Sequence, residues 1–331
     1  DFAEQQERAE RMLQWYDQYV AVLRRITSGD TPAILHLFGG GGGSSEGSRR
    51  AGATSVNVDN EPQPDYVRRF GEESFYLGNA LSWANVATLK ARRQFVGCMA
   101  SPPCKPYSRA LSGGTSTVPK LIPQTRDLLR TFFDHWAIEN VMGAAKDMDV
   151  NSAELFGQFF GCKVDRARKI ESSFRVRLDK AVLVPGKELR SRTCLGERRR
   201  WKRVDAFGRP EGPCCKGNIF AVQGRAPWRC STAECAAAMG MDRDQMAYDR
   251  LAQSLPPSYT RMLTGQMCMS IAHERFGAPL ISYDDYLEDE AGASRAVEAW
   301  LKGAGDDRTV AGLSLMRATE PDPLLPGQGS R

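Results

Sequence analysis

Histidine is scarce in this chain. His36, His135 and His273 are the three among 331 residues, and so few argue against a histidine-rich metal centre. The nine cysteines are odd in number, irregularly spaced and include no Cys-x-x-Cys pair. Neither a structural zinc nor a disulfide framework is expected, and a reducing, intracellular setting is, nuclear if the source is a eukaryote. No apolar run approaches the roughly 18–20 residues that span a bilayer, so no membrane partner is expected, and the charged opening stretch is unlike a signal peptide. The chain begins at Asp1 without an initiator Met, as a segment of a longer polypeptide would, and it is expected to be monomeric or part of a larger polypeptide. What is present is an ordinary globular composition. Hydrophobic residues make up 41% of a 36.6 kDa chain, enough for a sizeable core in one large domain with a smaller one. A net charge of +5 permits a nucleic-acid partner without requiring one.

Met12, Leu13, Tyr16, Val20 and Leu23 recur near the helical period and predict an amphipathic helix over 2–26, stopped by Ser28-Gly29-Asp30-Thr31-Pro32. The apolar run 33–38 predicts a buried strand leading into five glycines, Gly39 to Gly43. Further strands are predicted at 54–58, ending at Asp59; at 94–99, leading to Pro102-Pro103-Cys104; and at 136–138, ending at Glu139-Asn140-Val141. A helix is predicted over 124–135. Strands alternating with helices predict a parallel sheet in an α/β fold. Beyond residue 175 the character changes. Arg and Lys crowd 175–203, including the run Arg198-Arg199-Arg200-Trp201-Lys202-Arg203, and 208–227 is rich in Gly, Pro and Cys. Helical patterning resumes at Ser231, and the tail from Thr319 has too little apolar content to order itself.

Four positions carry chemistry. Glycines at the carboxyl end of a first parallel strand let the chain turn tightly and let a ligand approach the backbone. Alone, a five-glycine run suits a linker equally well. Asp59, about 20 residues on at the end of the next strand, is where an acid takes the ribose hydroxyls of a dinucleotide or adenosyl cofactor. No Gly-Lys-Ser/Thr follows the glycines, which excludes a P-loop. Cys104 differs from the other cysteines, which read as small buried thiols, by standing at a strand end in the same crevice. Glu139 stands at another strand end. Arg166 and Arg168 would share one face of a strand by alternation.

Taken in order, these residues resemble the motifs of the cytosine-5 DNA methyltransferase family. His36-Leu37-Phe38-Gly39-Gly40-Gly41-Gly42-Gly43, with Gly47 beyond, is similar to the family's Asp-Leu-Phe-x-Gly-x-Gly-Gly. Pro102-Pro103-Cys104-Lys105-Pro106-Tyr107-Ser108 is similar to Pro-Pro-Cys-x-x-Ser with one extra position. Glu139-Asn140-Val141 and Arg166-x-Arg168 follow, then Arg229-Cys230-Ser231-Thr232-Ala233-Glu234-Cys235, which is similar to Arg-x-x-Thr-x-x-Glu, and Gly265-Gln266 for a closing Gly-Asn. The chain departs from the family at four places. His36 stands for Asp, Asn79 for an Asp that contacts the adenine, Val164 for Gln and Gln266 for Asn. These departures are expected to weaken cofactor binding without touching nucleophile or acid.

The resemblance implies a Rossmann-like, mostly parallel α/β sheet of the class I methyltransferase type with a second, smaller and irregular target-recognition domain. The expected boundaries are 1–31 for an N-terminal helical extension, 32–174 for the catalytic and cofactor-binding domain and 175–254 for target recognition. A return segment with C-terminal helices is expected over 255–318 and a disordered tail over 319–331. The resemblance assigns S-adenosyl-L-methionine to Phe38, Gly39, Gly40, Gly42, Gly43, Asp59, Asn79 and Pro102. It makes Cys104 the nucleophile, Glu139 the acid at ring nitrogen 3, and Arg168, with Arg166 beside it, the cation at the ring carbonyl. The substrate would be a cytosine flipped out of DNA, with the basic stretch 175–203 on the phosphates. A tRNA cytosine-5 methyltransferase fits Cys104-Lys105-Pro106-Tyr107-Ser108-Arg109 nearly as well. The four departures suggest a third reading, an inactive nucleic-acid-binding relative. A nicotinamide-linked dehydrogenase would leave Cys104, Glu139 and Arg168 without a purpose.

Overall fold

The computed structural model describes residues 2–27, 29–108, 117–164, 166–179, 231–242 and 246–303. Most of the expected target-recognition stretch, including the arginine run at 198–203, and the tail at 319–331 lie outside the described residues.

In chain order the elements are α1 (Phe2–Ile26), β1 (Ala33–Leu37), α2 (Gly43–Arg50), β2 (Thr54–Asp59), α3 (Pro64–Phe70), β3 (Phe75–Leu77), α4 (Trp83–Arg92), β4 (Gly97–Ala100), α5 (Ile122–Phe132), β5 (Trp136–Val141), β6 (Ala153–Leu155) and β7 (Arg168–Ser172). After the undescribed stretch come α6 (Thr232–Ala238), α7 (Tyr248–Gln253), α8 (Pro257–Phe276), α9 (Tyr283–Glu288) and α10 (Glu290–Gly303). The strands form one sheet in the order β3-β2-β1-β4-β5-β7-β6. The first five strands in that order run parallel, and β7 is antiparallel to both its neighbours. This is the Rossmann-like, mostly parallel α/β architecture that the alternating pattern predicts. β1 lies between β2 and β4, so the chain reverses its winding direction there and opens a crevice above the carboxyl ends of β1 and β4.

β1 is buried along its whole length, as a central strand covered on both faces must be. Its alternation divides the interior. Ile34 joins Met99 and the side chains of α1 and α8, while Leu35 and Leu37 join Cys98, Val86 and Leu128 on the other face. α1 has the predicted extent and period. Met12, Tyr16 and Leu23 are fully buried within the α8 side of the core, each contributing roughly 1.5–3 kcal/mol of transfer free energy. Gly265 in mid-α8 makes the crossing with α1 possible, since a Cβ there would lie 2.6 Å from Tyr16 Cβ. α8 stops at Gly277, whose φ of +68° is the left-handed cap of a terminating helix.

The structure departs from the predicted elements in instructive places. β4 begins at Gly97 rather than at 94, because the backbone enters the ladder only once it is inside, where Gly97 packs against Met267 and the His135 carbonyl. The predicted helix over 124–135 runs from Ile122 to Phe132, with Pro123 in its first turn. β5 continues through Val141, so Glu139 and Asn140 lie within the strand and not just past the predicted 136–138. The antiparallel pairing Val141↔Arg168 to Ala137↔Ser172 holds them there. Nor do Arg166 and Arg168 alternate on one strand, since β7 starts at Arg168 and leaves Arg166 outside it.

Candidate active site

The chain leaves β1 through Phe38, which has a φ of 58° and is the one non-glycine residue with positive φ among the described residues. Strain of this kind persists only where the surroundings impose it. The next turn is held from below by β2. Asn57 Oδ1 accepts the Gly39 N–H at 3.0 Å, Asn57 Nδ2 donates to the Gly40 carbonyl at 3.2 Å, and Asp59 Oδ2 accepts the Gly40 N–H at 3.0 Å. Arg69 Nη1 from α3 donates to the Gly41 carbonyl at 3.2 Å and Arg69 Nη2 bonds Glu46. The glycines are required by the protein's own contacts. A Cβ on Gly39 would collide with Asn57, on Gly42 with the Tyr66 ring, and on Gly43 with the Leu255 carbonyl. Gly40 alone of the run faces open space, with φ +50°. Gly43 opens α2 rather than extending the loop, and Gly47 serves helix packing, its α-carbon against Thr260 and the Pro257 carbonyl of α8. Asp59 is buried, and its second oxygen accepts the Glu61 N–H at 3.0 Å. Asn79, exposed beyond β3, accepts the Leu81 N–H at 2.9 Å in a local turn. Asn57 and Arg69 were not visible as site residues in the sequence. The one available signal was that Asn57 sits two residues before Asp59 on the same face of β2.

The second wall comes from β4 and β5. Ser101 N–H donates to the Leu37 carbonyl, keeping the strand end beside β1, and Asn140 Nδ2 donates to the buried Pro102 carbonyl at 2.9 Å. Cys104 follows at the start of a single 3-10 turn, Lys105–Tyr107. It is exposed, whereas Cys98, Cys162, Cys235 and Cys268 are buried. Burial pushes the Cys162 thiol up to about 11 and Cys268 up to about 12, which keeps both as inert thiols. Glu139, half-buried, is paired with Arg168 through Nε at 2.6 Å from Oε1. Arg166 is buried, its Nη2 donating to the Ala252 carbonyl at 2.7 Å. Burial, and next the Arg168 charge, lower its affinity for a proton to about 9, while Glu139, Tyr259 and Cys104 act in the opposite direction. The charges of Arg168 and Glu139 and the Cys104 side chain all act on the buried Arg166.

Three of the four departures from the family pattern, His36, Val164 and Gln266, fall into the scaffold. His36 is fully buried, with Nε2 at 3.1 Å from Ser48 Oγ, which in turn meets Thr264 Oγ1 at 2.9 Å. Desolvation lowers its pKa to about 3, so the ring is neutral. Val164 is a core side chain. Gln266 bonds both backbone groups of Arg177, each at 2.9 Å. Gly265-Gln266 thus sits within α8. The glycine loop is covered by the stretch just before α8, where Met246 and Arg250 lie over Gly41 and Ser254 and Leu255 over Gly43. Glu234 completes a capping box with Ser231 at the start of α6. No helix among the described residues is long and apolar enough to cross a membrane.

No protein-family model matches the chain, and no curated protein matches it. Among solved structures, a Dnmt2 methyltransferase of S. pombe is 12% identical with a TM-score of 0.49, covering 72% of this chain and 99% of its own. A putative DNA modification methyltransferase encoded within an E. coli prophage is 12% identical with a TM-score of 0.48, covering 71% and 98%. A mutant of Spodoptera frugiperda DNMT2 is 14% identical with a TM-score of 0.47, covering 71% and 99%. In the order of its motifs and in the ends of β1, β4, β5 and β7 that carry them, the protein resembles the cytosine-5 DNA methyltransferase family.

Proposed function

We propose that the protein transfers a methyl group from S-adenosylmethionine to carbon 5 of a cytosine in DNA. The observation that carries the reading is convergence. The one exposed thiol among the described cysteines follows the end of β4, the Glu139–Arg168 pair lies on the neighbouring β5 and β7, and the glycine crevice follows β1, so all three stand along one edge of the sheet at its switch point, which supports the reading.

The crevice fits an adenosyl cofactor. The Asp59 carboxylate is fixed by two backbone N–H groups and by no cation among the described residues, leaving it able to accept a ribose hydroxyl. Gly40 leaves the backbone approachable, and Phe38, Gly39, Gly42, Gly43, Asn79 and Pro102 would complete the walls. When bound, S-adenosylmethionine supplies an electrophilic methyl on a positively charged sulfur, which carbon 5 takes up.

The chain's own residues make carbon 5 nucleophilic. The Cys104 thiolate adds at carbon 6, and the electron pair of the 5,6 double bond moves toward carbon 5 and the ring. Glu139 holds a proton at ring nitrogen 3 as charge builds there. Arg168 has donors beyond the one on Glu139 and offers them to the ring carbonyl oxygen. After methyl transfer, solvent water at the exposed Cys104 edge takes the carbon 5 proton as the thiolate leaves carbon 6, and the nitrogen 3 proton returns to Glu139, which restores the 5,6 double bond and frees Cys104. A base inside a duplex cannot reach these groups, so it must be flipped.

The test uses duplex DNA and tRNA carrying 5-fluorocytosine. Fluorine cannot leave as the proton does, so a covalent complex with DNA through Cys104 is the expected result. Capture of tRNA but not DNA would make the protein an RNA methyltransferase. Capture of neither, with no methyl transfer, would refute the enzymatic reading.

A further inference from the structure

We propose that Tyr259 is a positioning residue of the methyl-transfer centre, acting through Arg166. The inference rests on the reading of the site given above. Tyr259 lies in the first turn of α8 and is fully buried, so it cannot touch a base. Its hydroxyl donates to the Arg166 carbonyl at 2.8 Å, and its ring packs against Phe160 with centroids 5.0 Å apart. Arg166 is gripped at its other end by the Ala252 carbonyl, 2.7 Å from Nη2. Both grips come from α7 and the start of α8, the stretch that also covers the glycine loop through Arg250, Ser254 and Leu255.

A buried tyrosine hydroxyl needs some partner, and that need alone would make the bond structural. The choice of partner argues for more. The ladder between β5 and β7 begins at Val141↔Arg168, so it does not fix the carbonyl of Arg166. Tyr259 does. Two residues on, Arg168 must meet Glu139 at 2.6 Å, and it also donates through Nη1 to the Ala167 carbonyl at 2.8 Å. The approach to β7 is therefore one short rigid path. It is pinned at Arg166 by α8 and at Arg168 by Glu139, with the side chain of Arg166 directed back toward α7. A loss at the first pin shifts the guanidinium that faces the base. Misplacing a charged donor at a reacting centre costs rate, because the reacting geometry is lost.

Tyr259→Phe removes only the oxygen and keeps the ring in its packing, so the variant is expected to fold. Ser258→Ala is the control, because Ser258 Oγ bonds Cys162 Sγ at 3.6 Å one residue away and has no link to Arg166. Methyl transfer and capture of 5-fluorocytosine are measured on the same duplex DNA and tRNA, with cofactor affinity by calorimetry and folded fraction by circular dichroism. For Tyr259→Phe, kcat and the capture rate should fall about tenfold, while the cofactor Kd and the nucleic-acid KM stay within about a factor of two. Ser258→Ala should turn over as the wild type does. The proposal is overturned if Tyr259→Phe keeps the wild-type kcat, if Ser258→Ala loses as much, or if the loss only tracks the unfolded fraction. A wild type that neither transfers methyl groups nor is captured overturns the methyltransferase reading itself, and this inference with it.

Discussion

Asp59 holds two parts of the crevice at once, and its replacement measures how much the cofactor depends on that. The carboxylate accepts Gly40 N–H at 3.0 Å through one oxygen and Glu61 N–H at 3.0 Å through the other, in a buried position. Asp59→Ala removes both. A hydrogen bond to a charged group is worth about 1.5–3 kcal/mol, but both orphaned amides lie at the crevice mouth, where water can replace the carboxylate. We therefore expect the fold to lose about 2 kcal/mol rather than the sum. A bound ribose would lose its acceptor as well, and the Gly40 turn would loosen beneath it. Together these effects should weaken S-adenosylmethionine about 30- to 100-fold, equivalent to about 2–3 kcal/mol. Asp59→Asn keeps one carbonyl oxygen toward either amide and should recover part of the loss. Calorimetric titration with the cofactor, alongside duplex binding by anisotropy, separates the outcomes. A cofactor Kd unchanged in Asp59→Ala would refute the assignment of the crevice. Equal losses of cofactor and duplex binding would mean that the variant had come apart generally.

Much of the scaffold was legible because its signals are local. The period of Met12, Tyr16 and Leu23 gives α1 its buried face, and the uninterrupted run Ala33-Ile34-Leu35 identifies a strand covered on both sides. The chemistry-bearing residues were legible as an order of motifs and not as a geometry. Nothing in the sequence says that Arg168 pairs with Glu139, because β7 reaches β5 antiparallel across a connection of variable character. β3 and β6 are three residues each, too short for period-two alternation to stand out. The packing task of Gly265 is not legible in a motif match, since it is the small residue that α1 needs where it crosses α8. The residues over the glycine loop, Arg250 and Ser254 among them, carry no sequence signature because their task is contact through backbone and stem. Tyr259 was invisible for the same reason: its partner is a carbonyl, which every residue has.

Cys104→Ser should abolish methyl transfer and 5-fluorocytosine capture while the melting temperature and cofactor affinity stay at wild-type values; residual turnover above background would remove Cys104 from the mechanism. Gly47→Ala should destabilise the protein by about 1–3 kcal/mol, because its Cβ would collide with Thr260 and the Pro257 backbone of α8; a neutral result by urea unfolding would show that α2 and α8 can separate freely. His36 predicts the shape of the acid limb. The ring is fully buried and its pKa falls from 6.5 to about 3 through desolvation. The unfolded chain therefore binds the proton first as pH drops, and the folded state resists it. The stability this histidine provides is complete above about pH 6.5 and is lost progressively between there and about pH 3. Between pH 7.5 and 5 the linkage amounts to about 2 kcal/mol. His135, also lowered by burial, adds in the same direction. His36→Leu removes the titrating group while Ser48 keeps Thr264 as its partner at 2.9 Å. Its unfolding free energy, measured in urea at both pH values, should fall by about 2 kcal/mol less over that interval than the wild type's. An unchanged pH slope would mean that His36 reaches water or a counter-charge in the folded protein, and that the β1–α2–α8 contact is looser than its burial implies.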